Sequence, residues 1–183
     1  MRIGCVYSIE NYCSIDKPLR SPMEIPFGIS IIATVLKVAG HDVDLFVISP
    51  VTPVRKILEE YIRVKKPQLF CLSAVSSQFP PIEEVAALIK EIDPDIFVIL
   101  GGHHASLAPE QAIKCANLDA ICVSEGDVPV VELARQLEEE KWPSGISNLW
   151  IRHPKSGEIE KNPTAPFNED LDTIPHVDRT LWE

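Results

Sequence analysis

The chain has 183 residues, 45% of them apolar and 24% charged, and a formal net charge of −10. That length suits one domain with a small appendage, and the composition excludes collagen-like, disordered and disulfide-scaffold classes. Residues 1–66 carry nine Lys/Arg against seven Asp/Glu, whereas residues 67–183 carry eight against twenty. An acidic surface repels phosphate backbones, which argues against direct nucleic-acid binding. The longest apolar runs, such as Ile96–Leu100, fall far short of the roughly 20 residues of a membrane span. No basic-then-apolar leader precedes the run Arg2-Ile3-Gly4-Cys5-Val6-Tyr7, so a cytoplasmic location is expected.

That first run, Arg2–Ser8, reads as a strand, and further strands are predicted at Val43–Ser49, Gln68–Ala74, Ile96–Leu100 and Ala120–Ser124. They are apolar nearly throughout, as parallel strands covered on both faces are. Between them run helical patterns with clear signals. Ile25-Pro26-Phe27-Gly28 leads into Ile29–Ala39, and Gly40 suits the position after a helix end. Thr52-Pro53 opens a helix with Ile57, Leu58, Tyr61 and Ile62 on one stripe. Pro80-Pro81 opens another, Pro109 a short one, and Asp127-Val128-Pro129 the last. The alternation predicts a three-layer, doubly wound α/β domain with a five-stranded parallel sheet, Rossmann-like or flavodoxin-like. After about Lys141 the pattern changes to a β-hairpin, Asn148–Arg152 and Glu158–Lys161 about a Pro154–Gly157 turn, and then an extended Pro- and Asp-rich arm. The division expected is 1–142 for the α/β domain and 143–183 for hairpin and linker.

Five cysteines (Cys5, Cys13, Cys71, Cys115 and Cys122) form no CxxC or His/Cys cluster, so no metal ligands are assigned. Cys5, Cys71 and Cys122 fall in predicted strands, where Cys behaves as a small hydrophobe.

In open α/β sheets ligands bind outside the carboxyl ends of the strands, so the loops there hold the candidates. The first, Ile9 to Glu24, holds Tyr12, Cys13 and Asp16 but no recognisable catalytic set. In the third, Ser73-Ala74-Val75-Ser76-Ser77-Gln78, the polar side chains serve either as helix caps or as a rim for a buried ligand. The fourth is Gly101-Gly102-His103-His104-Ala105-Ser106, whose paired glycines permit close backbone approach. It is neither GxGxxG nor a phosphate-binding Gly-Lys-Ser/Thr loop. Adjacent histidines point apart, which favours capping or core roles over shared metal ligation. In the fifth, Ser124-Glu125-Gly126-Asp127, Asp127 suits a helix cap and Glu125 a ligand contact or an exposed acid. No nucleophile elbow or paired catalytic carboxylates occur, and no catalytic residue is assigned.

Taken in order, these motifs resemble the N-terminal cobalamin (vitamin B12)-binding domain of cobalamin-dependent radical SAM enzymes. The matching pieces are Ile25-Pro26-Phe27-Gly28-Ile29, Gly40-His41-Asp42-Val43, Ser73–Gln78, Gly101–Ser106 (commonly GGPHA) and Ser124–Asp127 (commonly GEGE). Phe167–Pro175 is similar to the DLDxLP stretch that leads out of that domain. The resemblance implies cobalamin contacts at Pro26, Phe27, Gly28, Ser73, Val75, Ser76, Ser77, Gln78, Gly101, Gly102, His103, His104, Ala105, Glu125 and Gly126. Gly101 and Gly102 would border a slot for the nucleotide tail, and Pro26, Phe27 and Gly28 would pack the corrin edge. The CxxxCxxC motif of the radical SAM barrel is absent, so the chain is expected to be an excised cofactor domain, not catalytic alone. S-adenosylmethionine and a 4Fe-4S cluster would belong to the missing barrel of a methyltransferase or cyclase. The DxHxxG motif that supplies a lower cobalt ligand is also absent; Pro18 stands where its His would follow Asp16. Base-off binding without a protein His is therefore implied. The arm would pack on the barrel, fray, or pair with a second copy of the chain into a dimer. Two other readings are a flavodoxin-like scaffold or signalling domain without cofactor and a flavin-binding domain.

Overall fold

The computed structural model describes residues 1–9 and 26–182. The predicted loop with Tyr12, Cys13 and Asp16, like Ile25, lies outside the described residues. In β1 (Arg2–Ser8), β3 (Leu69–Ser73), β4 (Phe97–Gly101) and β5 (Ala120–Cys122), successive side chains point to opposite faces of the sheet. Ile3, Cys5, Leu69, Cys71, Phe97, Ile99, Ala120 and Cys122 join one apolar cluster. Val6, Phe70, Leu72, Val98, Leu100 and Ile121 join the other. With both faces apolar, both need helical cover. α1 (Phe27–Val38) and α6 (Asp127–Glu138) cover the first face, and α2 (Val54–Lys65) and α3 (Phe79–Ile92) the second. Short α4 (His103–Leu107) and α5 (Pro109–Ala112) add Ala105 and Ala112 to the second core. Among the described residues, no helix is long and apolar enough to cross a membrane.

With β2 at Asp42–Ile48, β6 at Leu149–Arg152 and β7 at Ile159–Lys161, the strand order is β2-β1-β3-β4-β5-β6-β7. Pairing is parallel from β2 through β5 and antiparallel at β5–β6 and β6–β7. Strand ends lie within one or two residues of those predicted. The five predicted parallel strands and the C-terminal β-hairpin form one mixed sheet of seven strands, because β6 pairs antiparallel with β5. Three interactions hold β6 in it. Leu149 and Ile151 are fully buried in the α1/α6 cluster. The Arg152 guanidinium donates to the carbonyl oxygens of Leu118, Ile113 and Cys115 at the foot of β5. Trp142 Nε1 donates to the Arg152 carbonyl at 3.1 Å.

The arm does not stand free of the domain. Asp178 donates its backbone N–H to Thr34 Oγ1 of α1 at 3.0 Å, its carboxylate pairs with Lys37, and Leu181 packs against the α1/α6 cluster.

Two residues test this packing. Gly4 has no side chain because the Phe70 ring occupies that space; a Cβ would stand 2.4 Å from Phe70 Cε1. Gly4→Ala overpacks this fully buried contact and is expected to lower stability by roughly 1–3 kcal/mol in urea unfolding, with Phe70→Leu partly restoring the double variant. The Lys37 ammonium, aided by Thr180, pulls the Asp178 carboxyl down to about 2. A depressed carboxyl holds its anchor above the ordinary carboxylate range and loses it as pH falls through the folded value. A carboxyl NMR titration is expected to place Asp178 near 2, and Lys37→Met to return it toward roughly 3.9.

Candidate functional site

The strand order reverses direction of growth between β1 and β3, and the crevice beside such a point, at the carboxyl ends, is where α/β sheets bind ligands. There the structure has a cavity of about 420 Å³ between α1 and α6. Its floor is the α1/α6 face of the sheet at Cys71, Ile99, Cys122 and Leu149; Ile29 and Ile32 of α1 and Val130 of α6 wall it. Polar groups gather at the mouth: Ser73, His103, Ser106, Ser124, Glu125 and Asp127. An apolar slot with a few placed polar groups is the ordinary form of a small-molecule site.

The sulfur atoms in the floor are neutral. Burial pushes the Cys122 thiol up to about 12, and a hydrogen bond with Cys5, with burial, raises that of Cys71. Neither offers a thiolate at neutral pH, so both line the slot as small apolar groups.

Backbone geometry shapes the mouth. Gly102 has φ +87°, and a Cβ there would stand 2.8 Å from the Ala74 carbonyl oxygen and 2.9 Å from Ser73 Oγ. Ala74 donates its N–H to the Gly101 carbonyl at 3.3 Å, and His104 donates its N–H to the Ala74 carbonyl at 3.0 Å. The loops after β3 and β4 are thus pressed together at a residue that must be glycine. Gly126 plays a smaller part: a Cβ there would meet Ile32 Cδ1 at 3.1 Å, so its absence lets α6 begin against α1. Ser124, at φ +85°, occupies a conformation rare for its residue type. It donates its N–H to Ser106 Oγ at 3.0 Å. Asn148 Nδ2 donates to the Glu125 carbonyl at 2.8 Å, tying the fifth loop to the start of β6.

The predicted site residues divide. Gly28, Ser73, Gly101, Gly102, His103, Glu125 and Gly126 line the cavity. Pro26 and Phe27 stand at the start of α1, Phe27 72% exposed, outside it. Val75, Ser76 and Ser77 are exposed beyond the end of β3, in and before a 3-10 turn at Ser76–Gln78. Gln78 is buried: its Oε1 accepts the Val75 N–H at 3.2 Å and its Nε2 donates to the Tyr7 hydroxyl at 3.1 Å. Ala105 is core. The two histidines part as adjacent residues on a helix start must. His103 faces the mouth, while His104 turns inward, stacks on Phe79 with ring centroids 4.1 Å apart, and bonds Ser76 Oγ through Nδ1 at 3.1 Å. Burial lowers the His104 imidazole below its ordinary value, against the charge of Glu83. Its Nε2 is buried with no hydrogen-bond partner among the described residues.

The lining residues Ile32, Cys71, Ser106, Cys122 and Ser124 were not foreseen as site residues. Period-2 counting could have found Cys71 and Cys122, which share a face; Ser124 lies in the fifth candidate loop without having been singled out, and nothing in the sequence signals Asn148.

An exposed apolar side chain follows each of the five parallel strands in the chain: Phe27, Val51, Val75, Leu107 and Val128.

Comparison with known proteins decides the family. The model of the B12 binding domain matches residues 22–134, more than half of the chain. The chain belongs to the B12-binding domain family. This B12-binding domain is 26% identical over 155 residues to an uncharacterized methyltransferase of Pyrococcus horikoshii, covering 82% of this chain and 32% of that protein. It is also 26% identical over 167 residues to the anaerobic magnesium-protoporphyrin IX monomethyl ester cyclase of Rubrivivax gelatinosus, covering 86% and 29%. The chain therefore spans about a third of the length of the curated relatives it matches. In fold it is similar to the radical S-adenosylmethionine methyltransferase TsrM from Kitasatospora setae, solved with cobalamin and a 4Fe-4S cluster bound. The TM-score is 0.72 at 16% identity, covering 93% of this chain and 30% of that one. The cobalamin-dependent S-adenosylmethionine radical enzyme OxsB, with aqua-cobalamin and S-adenosylmethionine bound, gives 0.70 at 19%, covering 91% and 22%.

The two glycines of the mouth are separable. Gly101 has an ordinary φ, and its Cβ would meet nothing closer than Cys122 Cβ at 3.9 Å. Gly101→Ala is expected to leave the unbound domain's stability unchanged, whereas Gly102→Ala is expected to cost about 1–3 kcal/mol in thermal or urea unfolding.

Proposed function

We propose that the chain binds cobalamin base-off, without a protein histidine on cobalt, as the cofactor domain of a radical SAM methyltransferase or cyclase. The observation that carries this reading is the apolar slot of about 420 Å³ opening beside Gly101 and Gly102 at the carboxyl ends of the strands. The residues fit the group. The slot accepts the flat, apolar base at the end of the nucleotide tail, with Ser73, Ser106 and backbone groups at the mouth for the sugar and phosphate. The exposed apolar side chains that follow the parallel strands, Phe27, Val51, Val75, Leu107 and Val128, suit the corrin edge and the second domain that would close over it. In that arrangement residues 1–142 hold the cofactor and residues 143–183 lead toward the catalytic domain.

The placement of His104, His41 and His103 supports the absence of a protein ligand to cobalt. His104 is committed to Ser76 and Phe79 inside the core. His41 stands before β2, at the opposite end of the sheet, where Nδ1 lies 3.5 Å from Glu138 Oε1. His103 sits at the slot mouth, where the tail, not the metal, would pass. Bound cobalamin supplies the organometallic chemistry, and the chain's own part is to bind, orient and exclude water.

Hydroxocobalamin titrated into the purified chain is expected to bind saturably at one per chain, with the spectrum of a detached lower base. His103→Ala is expected to keep that spectrum. A chain that leaves gel filtration colourless overturns the reading. A base-on spectrum, or one that changes with His103→Ala, overturns its axial part, and retention of flavin mononucleotide instead would favour a flavin site.

A further inference from the structure

The arm reaches the slot: Ile174 is half-buried and is among the residues that line the cavity. Chain on either side of it is anchored to the two walls. On the α6 side, Asn148 donates its N–H to the Pro163 carbonyl at 3.0 Å, and its Oδ1 accepts the Ala165 N–H at 2.6 Å. The same side chain holds the Glu125 carbonyl at the mouth, so rim and arm share one residue. On the α1 side, Asp178 is held by Thr34 and Lys37. Between the anchors the arm is organised locally. Asp170 Oδ1 accepts the Asp172 N–H at 3.2 Å, and Thr173 Oγ1 donates to the Asp170 carbonyl at 2.6 Å, forming the turn that sets Ile174 in place.

We propose that residues 171–181 are a retaining strap for the nucleotide end of the corrinoid, with Ile174 as the outer wall of the slot and Asp178 as its latch. This rests on the cobalamin reading above. The strap acts on the tail, because Ile174 lies against the slot that would hold it. It makes the domain selective for corrinoids that carry a nucleotide, and it slows their release.

The test uses the full chain and two corrinoids, hydroxocobalamin and cobinamide, which has the corrin but no nucleotide. Dissociation is followed by absorbance after a chase. Ile174→Ala is expected to raise the cobalamin off-rate about tenfold, as loss of a half-buried apolar contact does. Asp178→Asn, which keeps the size of the side chain and removes its charge, is expected to raise it in the same direction. Both are expected to leave the cobinamide off-rate unchanged. Protection of the Asp178 amide from hydrogen exchange is expected to rise when cobalamin, but not cobinamide, saturates the wild-type chain. Equal off-rates in wild type and both variants overturn the strap while leaving cobalamin binding intact. Equal acceleration for both corrinoids overturns its action on the tail. Failure of the wild-type chain to retain either corrinoid overturns the cobalamin reading and the strap with it.

Discussion

The constraint on which the site depends is the contact of Gly102 with Ser73 and Ala74. A backbone at φ +87°, with carbonyl and hydroxyl oxygens where a Cβ would stand, leaves one residue type that fits. Much follows from it. Hydrogen bonds joining Ala74 to Gly101 and to His104 carry the pairing of β3 and β4 past the ends of the strands. They set the start of α4, which turns His104 into the core and leaves His103 at the mouth. The slot is open at this end because its border is bare backbone. A side chain at Gly102 would push the two loops apart and disturb the cavity and the His104–Phe79 stack together.

The same joint explains why some polar residues of the third loop do not face the slot. Ser73 leaves β3 in register with Gly101 and lies at the mouth. The chain then enters a 3-10 turn, whose tighter winding redirects the residues after it. Gln78 closes that turn against Val75 and Tyr7, and Ser76 bonds His104. Capping and rim roles were both open for these residues from sequence. Ser73 stands at the cavity mouth, while Ser76 and Gln78 satisfy polar groups within the protein, as buried donors and acceptors require.

Much of the fold was legible because it rests on local periodicity. Alternation in Leu69–Ser73 and Phe97–Gly101 and the signals at Pro53, Pro80 and Asp127 belong to single segments. The glycine pair and the acidic fifth loop were legible for the same reason. What escaped depends on distant partners. Leu149 and Ile151 alternate as in any strand, but nothing in them says that the strand lies beside β5. That is decided by Arg152 reaching carbonyl oxygens more than thirty residues earlier. Asn148, at φ +67°, bonds to the fifth loop and to the arm, a role set by three segments meeting.

The arm shows how such long-range contacts couple to the site. Its latch on α1, the Lys37–Asp178 pair, is partly solvent-accessible, and surface pairs of that kind contribute little on their own. The strap is therefore weakly latched while the slot is empty, and the apolar contact of Ile174 gains a second partner only when the slot is filled. If filling the slot tightens the arm, then by thermodynamic reciprocity holding the arm tightens the grip on the slot's occupant by the same factor. Asn148 gives this linkage a physical route, since one side chain holds the Glu125 carbonyl at the rim and the Ala165 amide of the arm. A slot and an arm that share a hydrogen-bonding residue are coupled, so under the proposed function occupancy of the slot would bias the position of the arm.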